Sequence, residues 1–401
     1  MILTLSNLET LVIAIFVLFI GRYITNNVNF LKRYNIPIPV TGGILISIFI
    51  GIAYVVASVE INFDTVLGDI LLLSFFSTIG LSARLSLLIA GGRLVAILSI
   101  IIVLFLIMQN AIGIFGAYLT NIDPLIGLLT GSVTLSGGHG TGITYAKIFS
   151  DEFGLNNALE IALACATFGL VMGGLLGGPF ARFLIKRFHL KTETEPVTLK
   201  ARSRTIHHEE VIDYRGVLEV IALISLCIII GTNLNVYFNS LGLSLPDFVP
   251  CLFAGIIFAN IADFSKLFVI KARSLTLFSN LSLDIFLTIA LMRLQLWTLV
   301  ELAGPLLLIL VVQVFAVLLF TYFIVFRMVR KNYTGSVISA GYLGFGLGAM
   351  PTAIANMSTV TKRYGPSPNA FIVIPLIGAF LIDIANAIVI QLFLFLPMFE
   401  L

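Results

Sequence analysis

Two stretches of this chain could hold a small anion or cation on backbone groups alone. One is Thr130 to Lys147, TGSVTLSGGHGTGITYAK; the other is Thr334 to Met357, TGSVISAGYLGFGLGAMPTAIANM, which opens with the same four residues 204 positions later. Both are too interrupted by glycine and small polar residues for lipid-facing helices, and too apolar for soluble loops. At membrane depth such backbone is tolerated only where it is buried in protein or lines a watery cavity. A helix broken there exposes unpaired N–H groups at one end and C=O groups at the other; the first attract carboxylates and the second coordinate cations. Glycine lets a substrate reach those groups. The turns are expected near Ser136, Gly137, Gly138, His139, Gly140, Thr141 and Gly142, and near Gly344, Gly346, Gly348, Met350, Pro351 and Thr352. The competing reading of the same glycines is tight helix packing through small residues, as in the run Gly173, Gly174, Gly177, Gly178.

Side chains near these stretches add chemistry. His139 is the only histidine in an apolar region, where it could titrate, donate to a carboxylate, or serve as a structural group at a turn. A carboxylate within a span is costly and marks a functional position by default. Asp383 meets that description, and Asn386 shares its helical face three residues on, so the pair reads as a cation site, with structural pairing as the other reading. Asn110 and Thr167 are further candidate ligands, and Asp284 ranks lower because the corresponding span carries only small polar residues nearby. Gln109, Asn110 and Gln313 lie on equivalent segments just ahead of the two stretches, placed either to bind a substrate's polar groups or to brace the turns.

Other chemistries do not fit. G-H-G-T-G and G-F-G-L-G match neither G-x-G-x-x-G nor a βαβ context, and His207, His208, Glu209 and Glu210 lack H-E-x-x-H spacing. Cys165, Cys227 and Cys251 sit in apolar segments without metal-ligand spacing and read as small buried hydrophobes. No Ser/His, Cys/His or paired-carboxylate arrangement has usable spacing, so no enzyme, cofactor or transition metal is expected.

Apolar helices must position these residues. Of 401 residues, 59% are hydrophobic and 11% charged, against about 25% charged in soluble domains. Runs of ~20 apolar residues span ~30 Å of hydrocarbon, and they fall near 8–26, 38–57, 67–89, 94–119, 155–185, 217–238, 246–262, 275–292, 302–326 and 368–397. The first carries Glu9 and lacks a basic leader, so it reads as a mature span and not as a signal peptide.

The halves repeat. Pro37 and Val40 recur as Pro246 and Val249, Thr78 and Ile79 as Thr288 and Ile289, Arg84 as Arg293, and Gln109 as Gln313, at offsets of 204 to 210. The expected fold is an all-α polytopic membrane protein of two repeats. Residues 1–185 carry a re-entrant hairpin at about 128–149, residues 216–401 carry one at about 334–358, and 186–215 form a linker. Five spans plus a hairpin that returns to its own side make an odd number of crossings, so the second repeat is inverted. With both termini outside and the linker cytoplasmic, every one of the 23 Lys and Arg except Lys147 and Arg293 falls inside. The net charge of +3 is therefore uninformative as a total; its distribution sets topology and needs no nucleic-acid partner. Inverted repeats with interrupted segments in matching positions point to a secondary transporter with its site near the midplane. An ion channel is the alternative, disfavoured because hairpins from opposite faces suit alternating access.

Five stretches carry a strong family resemblance: QNAIG from Gln109, LTGSVTLSGGHGTG from Leu129, CATFGLVMGGLLGG from Cys165, GFGLGAMPTAIANM from Gly344 and GAFLIDIANA from Gly378. The chain resembles the glutamate:sodium symporter family over nearly its whole length, most weakly in the linker. That resemblance implies sodium-coupled import of L-glutamate across the bacterial inner membrane. It also implies a homodimer in which a scaffold holds a mobile unit that carries both hairpins in an elevator-like cycle. Another dicarboxylate or hydroxycarboxylate, or proton coupling, is the alternative within transport.

Overall fold

The computed structural model describes residues 2–33, 36–57, 60–86, 92–191, 212–240, 246–266, 268–294, 302–329 and 331–399. His207, His208, Glu209, Glu210 and most of the expected linker lie outside them. The apolar runs form helices because in hydrocarbon each backbone N–H and C=O must find its partner within its own segment. The first half gives α1 (Asn7–Asn27), α2 (Ile38–Ala57), α3 (Val66–Ser82), α4 (Gly92–Leu119), the short α5 (Pro124–Leu129) and α6 (Ser132–Leu135), α7 (Gly138–Asp151) and α8 (Ala158–Arg187). The second gives α9 (Tyr214–Ser240), α10 (Phe248–Ser265), α11 (Ala272–Met292), α12 (Ala303–Phe320), α13 (Tyr333–Gly346), α14 (Met350–Tyr364), α15 (Pro368–Leu376) and α16 (Ile382–Leu394).

Among the described residues seven helices are long and apolar enough to cross a bilayer: α1, α4, α8, α9, α10, α11 and the rod that starts with α12 and runs to Met328. Ile38–Ile52 of α2, α3 and α16 are shorter apolar helices. Two rods contain π-turns, Thr321–Val325 after α12 and Ile377–Leu381 between α15 and α16. The second follows Pro375, whose ring removes one donor from the helical ladder.

One feature departs from the expected all-α chain. Strand β1 (Ile2–Leu5) pairs in parallel with β2 (Glu60–Phe63), Ile2 opposite Glu60 and Leu5 opposite Phe63. ILTL and EINF are four residues each, too short for any periodicity to announce them.

The chain divides into two compact units, along a line different from that between the two halves. The first comprises Met1–Asn29, Pro37–Leu87 and Ala201–Leu296; the second comprises Phe30–Ile36, Leu88–Lys200 and Trp297–Leu401. The first unit thus gathers α1 to α3 with α9 to α11. Its centre is the crossing of α3 and α10, where the backbones touch: a Cβ on Gly80 would lie 2.1 Å from Leu252 O, and one on Gly255 2.7 Å from Ser77 O. α2 packs against α11 in turn, with Gly43 against the Leu291 side chain. Asn260 of α10 closes the end of α3, donating Nδ2 to Ala83 O at 3.0 Å and accepting from Leu85 N at 2.9 Å. One apolar cluster joins Leu81, Val220, Ile224, Cys227 and Ala254, and another joins Ala14, Val17, Ile285, Ile289 and Met292.

The second unit holds α4, α8, α12 and the α15–α16 rod, together with both glycine-rich stretches. The first stretch is a hairpin from Pro124 to Asp151 whose first arm breaks at Thr130 and Gly131. The second is a hairpin from Tyr333 to Tyr364, turning through Leu347, Gly348 and Ala349. Local chemistry starts both. Asp123 accepts from Leu125 N at 2.8 Å with Pro124 at the first helical position, and Asn332 accepts from Gly335 N at 2.9 Å. The three cysteines are free and buried.

Candidate functional site

The two hairpin turns approach one another inside the second unit. Gly138 opens α7 with φ at +65°, a conformation that disfavours any other residue, and a Cβ there would lie 3.4 Å from Gly348 O. α8 backs the second turn, with Gly169 against Leu347 O and Gly173 against Leu343 O and Gly344 O.

Gln109 ties the hairpins together. From α4 its Nε2 donates to Gly346 O at 3.0 Å, while its Oε1 accepts from Ser136 Oγ at 2.5 Å. Ser136 Oγ also lies 3.3 Å from Gly346 O. Gln313, the equivalent residue of α12, does not reach a turn; its Nε2 donates to Gln109 O at 2.6 Å. Between binding and bracing, these contacts put both glutamines in a bracing position, and Gln109 also stands between the two turns.

A second convergence lies at the break in the first hairpin. Asn110 Oδ1 accepts from Ser132 N at 2.8 Å, and Asn386 Nδ2 donates to Ser132 O at 3.0 Å. The backbone of one residue after the break, Ser132, is therefore held by α4 through its N–H and by α16 through its C=O. Asp383 lies one turn before Asn386 at the start of α16, half-buried, with no ion-pair partner among the described residues. Thr167 belongs elsewhere: its Oγ1 lies 3.2 Å from His139 Nε2, so it meets the first turn and not the asparagines. Asp284 lies in the first unit, on α11.

The remaining turn residues divide between packing and exposure of polar atoms. Gly142 packs on the Thr134 methyl, Gly137 on Thr141 and the Asn386 amide, and Gly344 on the backbone of Ala353 and Thr352. Gly140 O accepts from Thr144 Oγ1 at 2.8 Å. Met350 and Pro351 begin α14, and Thr352 follows, fully buried.

Several polar atoms of this region are buried without a partner among the described residues: Asn110 Nδ2, Ser132 Oγ, Gln313 Oε1, Tyr342 Oη, Thr352 Oγ1 and Asn386 Oδ1. Each such atom costs about 1–3 kcal/mol, so packing alone would not collect them on two hairpins and the helices that touch them. Asn386 Oδ1 and Ser132 Oγ are oxygen ligands of the kind a hard monovalent cation takes. Neither Ser132 nor Tyr342 is among the site residues expected from sequence. Ser132 had one available signal, its place in the repeated TGSV. Tyr342, packed among Phe105, Phe320 and Phe345, had none beyond an aromatic in a small-residue stretch. Among the described residues no three His, Cys, Asp or Glu side chains gather as a transition-metal site would need.

Comparison with known proteins adds to this geometry. The profile of the sodium/glutamate symporter family matches residues 3–366. The chain is similar to the sodium/glutamate symporter of Escherichia coli (strain K12), 47% identical over 398 residues that make up 98% of this chain and 99% of that protein. It is also similar to the sodium/glutamate symporter of Haemophilus influenzae, 44% identical over 387 residues, 96% of each chain. With the match running through α4, both hairpins and α8, the chain belongs to the sodium/glutamate symporter family.

Proposed function

We propose that this protein is a sodium-coupled symporter of glutamate, and that the two hairpin turns hold the substrate while the Asn110–Ser132–Asn386 convergence, with Asp383, holds sodium. The observation that carries the placement is the set of buried, unpartnered polar atoms around the turns. Thr167 and His139 form part of the substrate wall, and Gln109 sets the distance between the turns. Glutamate has a net charge of −1, so bringing it into a cell at 100 mV, negative inside, opposes ~2.3 kcal/mol of electrical work. One sodium ion only cancels that charge; a second lets the voltage drive uptake, and a tenfold sodium gradient adds ~1.4 kcal/mol per ion. At least two sodium ions per glutamate are therefore proposed.

The cycle we propose is elevator-like, with both hairpins carried on the second unit and the first unit as scaffold. Two inverted repeats of five spans and one hairpin underlie it, in a bacterial inner membrane with the termini outside and the linker cytoplasmic. Three observations support this reading. Both hairpins carry the same TGSV in their first arm, α2 packs on α11 as α10 packs on α3, and the basic residues are biased to one side. A homodimer belongs to the same proposal on the strength of the family resemblance, and light scattering in detergent tests it.

Uptake of radiolabelled glutamate by proteoliposomes tests the function, with an inward sodium gradient and an imposed inside-negative potential. The expected result is accumulation that needs sodium and rises with voltage. Accumulation driven equally by a proton gradient, or displaced better by a hydroxycarboxylate than by glutamate, would replace the proposal with one of its alternatives.

A further inference from the structure

The second unit contains a cavity that substrate and sodium do not use. It lies between the last turns of α8 and α14 and has a volume of about 430 Å³. Asn356, one turn of α14 nearer the hairpin turn, donates to Gly173 O at 2.9 Å and to Ala340 O at 3.3 Å, so a pinned contact separates the cavity from the turns. Arg182 and Lys186 of α8 and Arg363 of α14 line it. All three are exposed, and none has a carboxylate partner among the described residues. Three like charges around one hollow repel unless an anion joins them.

The walls and the depth narrow the anion. Pro179, Phe183 and Val360 make the lining apolar, unsuited to a small, fully hydrated ion but suited to an acyl chain. Around the same end of α8, the Phe183 and Phe188 rings lie 6.2 and 6.4 Å from Tyr322, and the Arg327 guanidinium sits 5.1 Å from the Phe323 ring. Phe183, Phe188 and Phe323 are exposed. An amphipathic ring such as Tyr322 and long cationic side chains such as Arg182, Lys186 and Arg327 gather at the headgroup level of a bilayer, with the Phe rings on the acyl side.

We propose that this cavity binds the phosphate headgroup of an anionic phospholipid. Arg182 and Arg363 present guanidinium forks to the phosphate oxygens, Lys186 adds a third charge, and one acyl chain runs along Phe183 and Val360. A basic pocket between membrane helices is the setting in which such headgroups are held.

Native mass spectrometry of the purified full chain in detergent tests this, titrating dioleoyl phosphatidylglycerol against dioleoyl phosphatidylcholine. The wild type is expected to retain phosphatidylglycerol preferentially. Each removed charge should weaken that binding about fivefold. The Arg182→Gln, Lys186→Gln, Arg363→Gln triple variant should therefore lose on the order of a hundredfold, whereas Lys331→Gln, outside the cavity, should not change it. Should the triple variant fail to fold, Lys186→Gln alone should lose about fivefold while Arg363→Lys retains most of the affinity. Equal retention of the two lipids by the wild type, unchanged retention in the variants, or displacement of phosphatidylglycerol by millimolar inorganic phosphate would each overturn the proposal, the last in favour of a soluble anion.

Discussion

Asn386 works in two directions at once. Its amide nitrogen holds the Ser132 carbonyl, and its oxygen, left without a partner, faces a buried region that also contains Ser132 Oγ. In the proposed site Asp383, one turn away on the same helix, would supply the charge that attracts a cation. Asp383→Asn keeps shape and removes that charge. Its sodium concentration for half-maximal counterflow should rise at least tenfold, and unchanged sodium dependence would sink the assignment. Gln109 is a different kind of residue, because both of its polar groups are already spent on the hairpins. Gln109→Leu removes two hydrogen bonds and leaves Gly346 O and Ser136 Oγ with only their long mutual contact, at a cost of about 1–3 kcal/mol in all. A lowered thermal midpoint together with lost uptake is expected, whereas a simple substrate ligand would lose uptake at unchanged stability. Asp383 stands out in the sequence as a candidate because a carboxylate inside a span is costly. Ser132 does not, since a serine in a small-residue stretch looks like packing until the helices around it are in place.

At the scale of elements, the turns depend on backbone conformation more than on side chains. Gly138 takes a left-handed φ with Gly348 O at contact distance from where a Cβ would be. Gly138→Ala should therefore cost about 1–2 kcal/mol in backbone strain and bias the first turn away from its left-handed conformation, cutting uptake by more than the stability loss alone explains. Parallel measurement of thermal midpoint and initial rate separates the two effects. The helices were readable in part: 38–57 was expected and Ile38–Ala57 is helical, because a run of hydrophobic residues leaves the backbone one way to satisfy itself. Of the ten expected spans, however, seven are long and apolar enough to cross a bilayer among the described residues, and the helix in 67–89 runs only over Val66–Ser82 before it is interrupted. What escaped were features with no periodicity to report. The β1–β2 pairing joins four-residue segments nearly sixty residues apart, the break at Thr130–Gly131 splits an arm that composition shows as one stretch, and the π-turns shift register inside otherwise uniform apolar runs.

For the whole molecule, charge sets orientation. If the Lys and Arg bias places the linker in the cytoplasm, Lys191→Cys should react with a membrane-impermeant maleimide only in inside-out vesicles, and Asn156→Cys only in right-side-out ones. The three native cysteines are buried and give a quiet background for that comparison. Labelling of both positions from one face would reject the topology. The division into compact units was not legible, because repeats show which segments share an ancestor and not which ones pack together. One further consequence concerns equilibrium rather than mechanism. On the proposed sodium binding, a fold that leaves Ser132 Oγ and Asn386 Oδ1 buried and unpartnered among the described residues would hold part of its stability in reserve until ions arrive. Binding to the folded state alone adds about 2.7 kcal/mol at a hundred times the dissociation constant. The melting temperature of the detergent-purified protein should therefore climb as sodium replaces choline at constant ionic strength, and a flat response would place the ions elsewhere. By the same linkage, the choice of buffer cation becomes an assay for the site before any transport is measured.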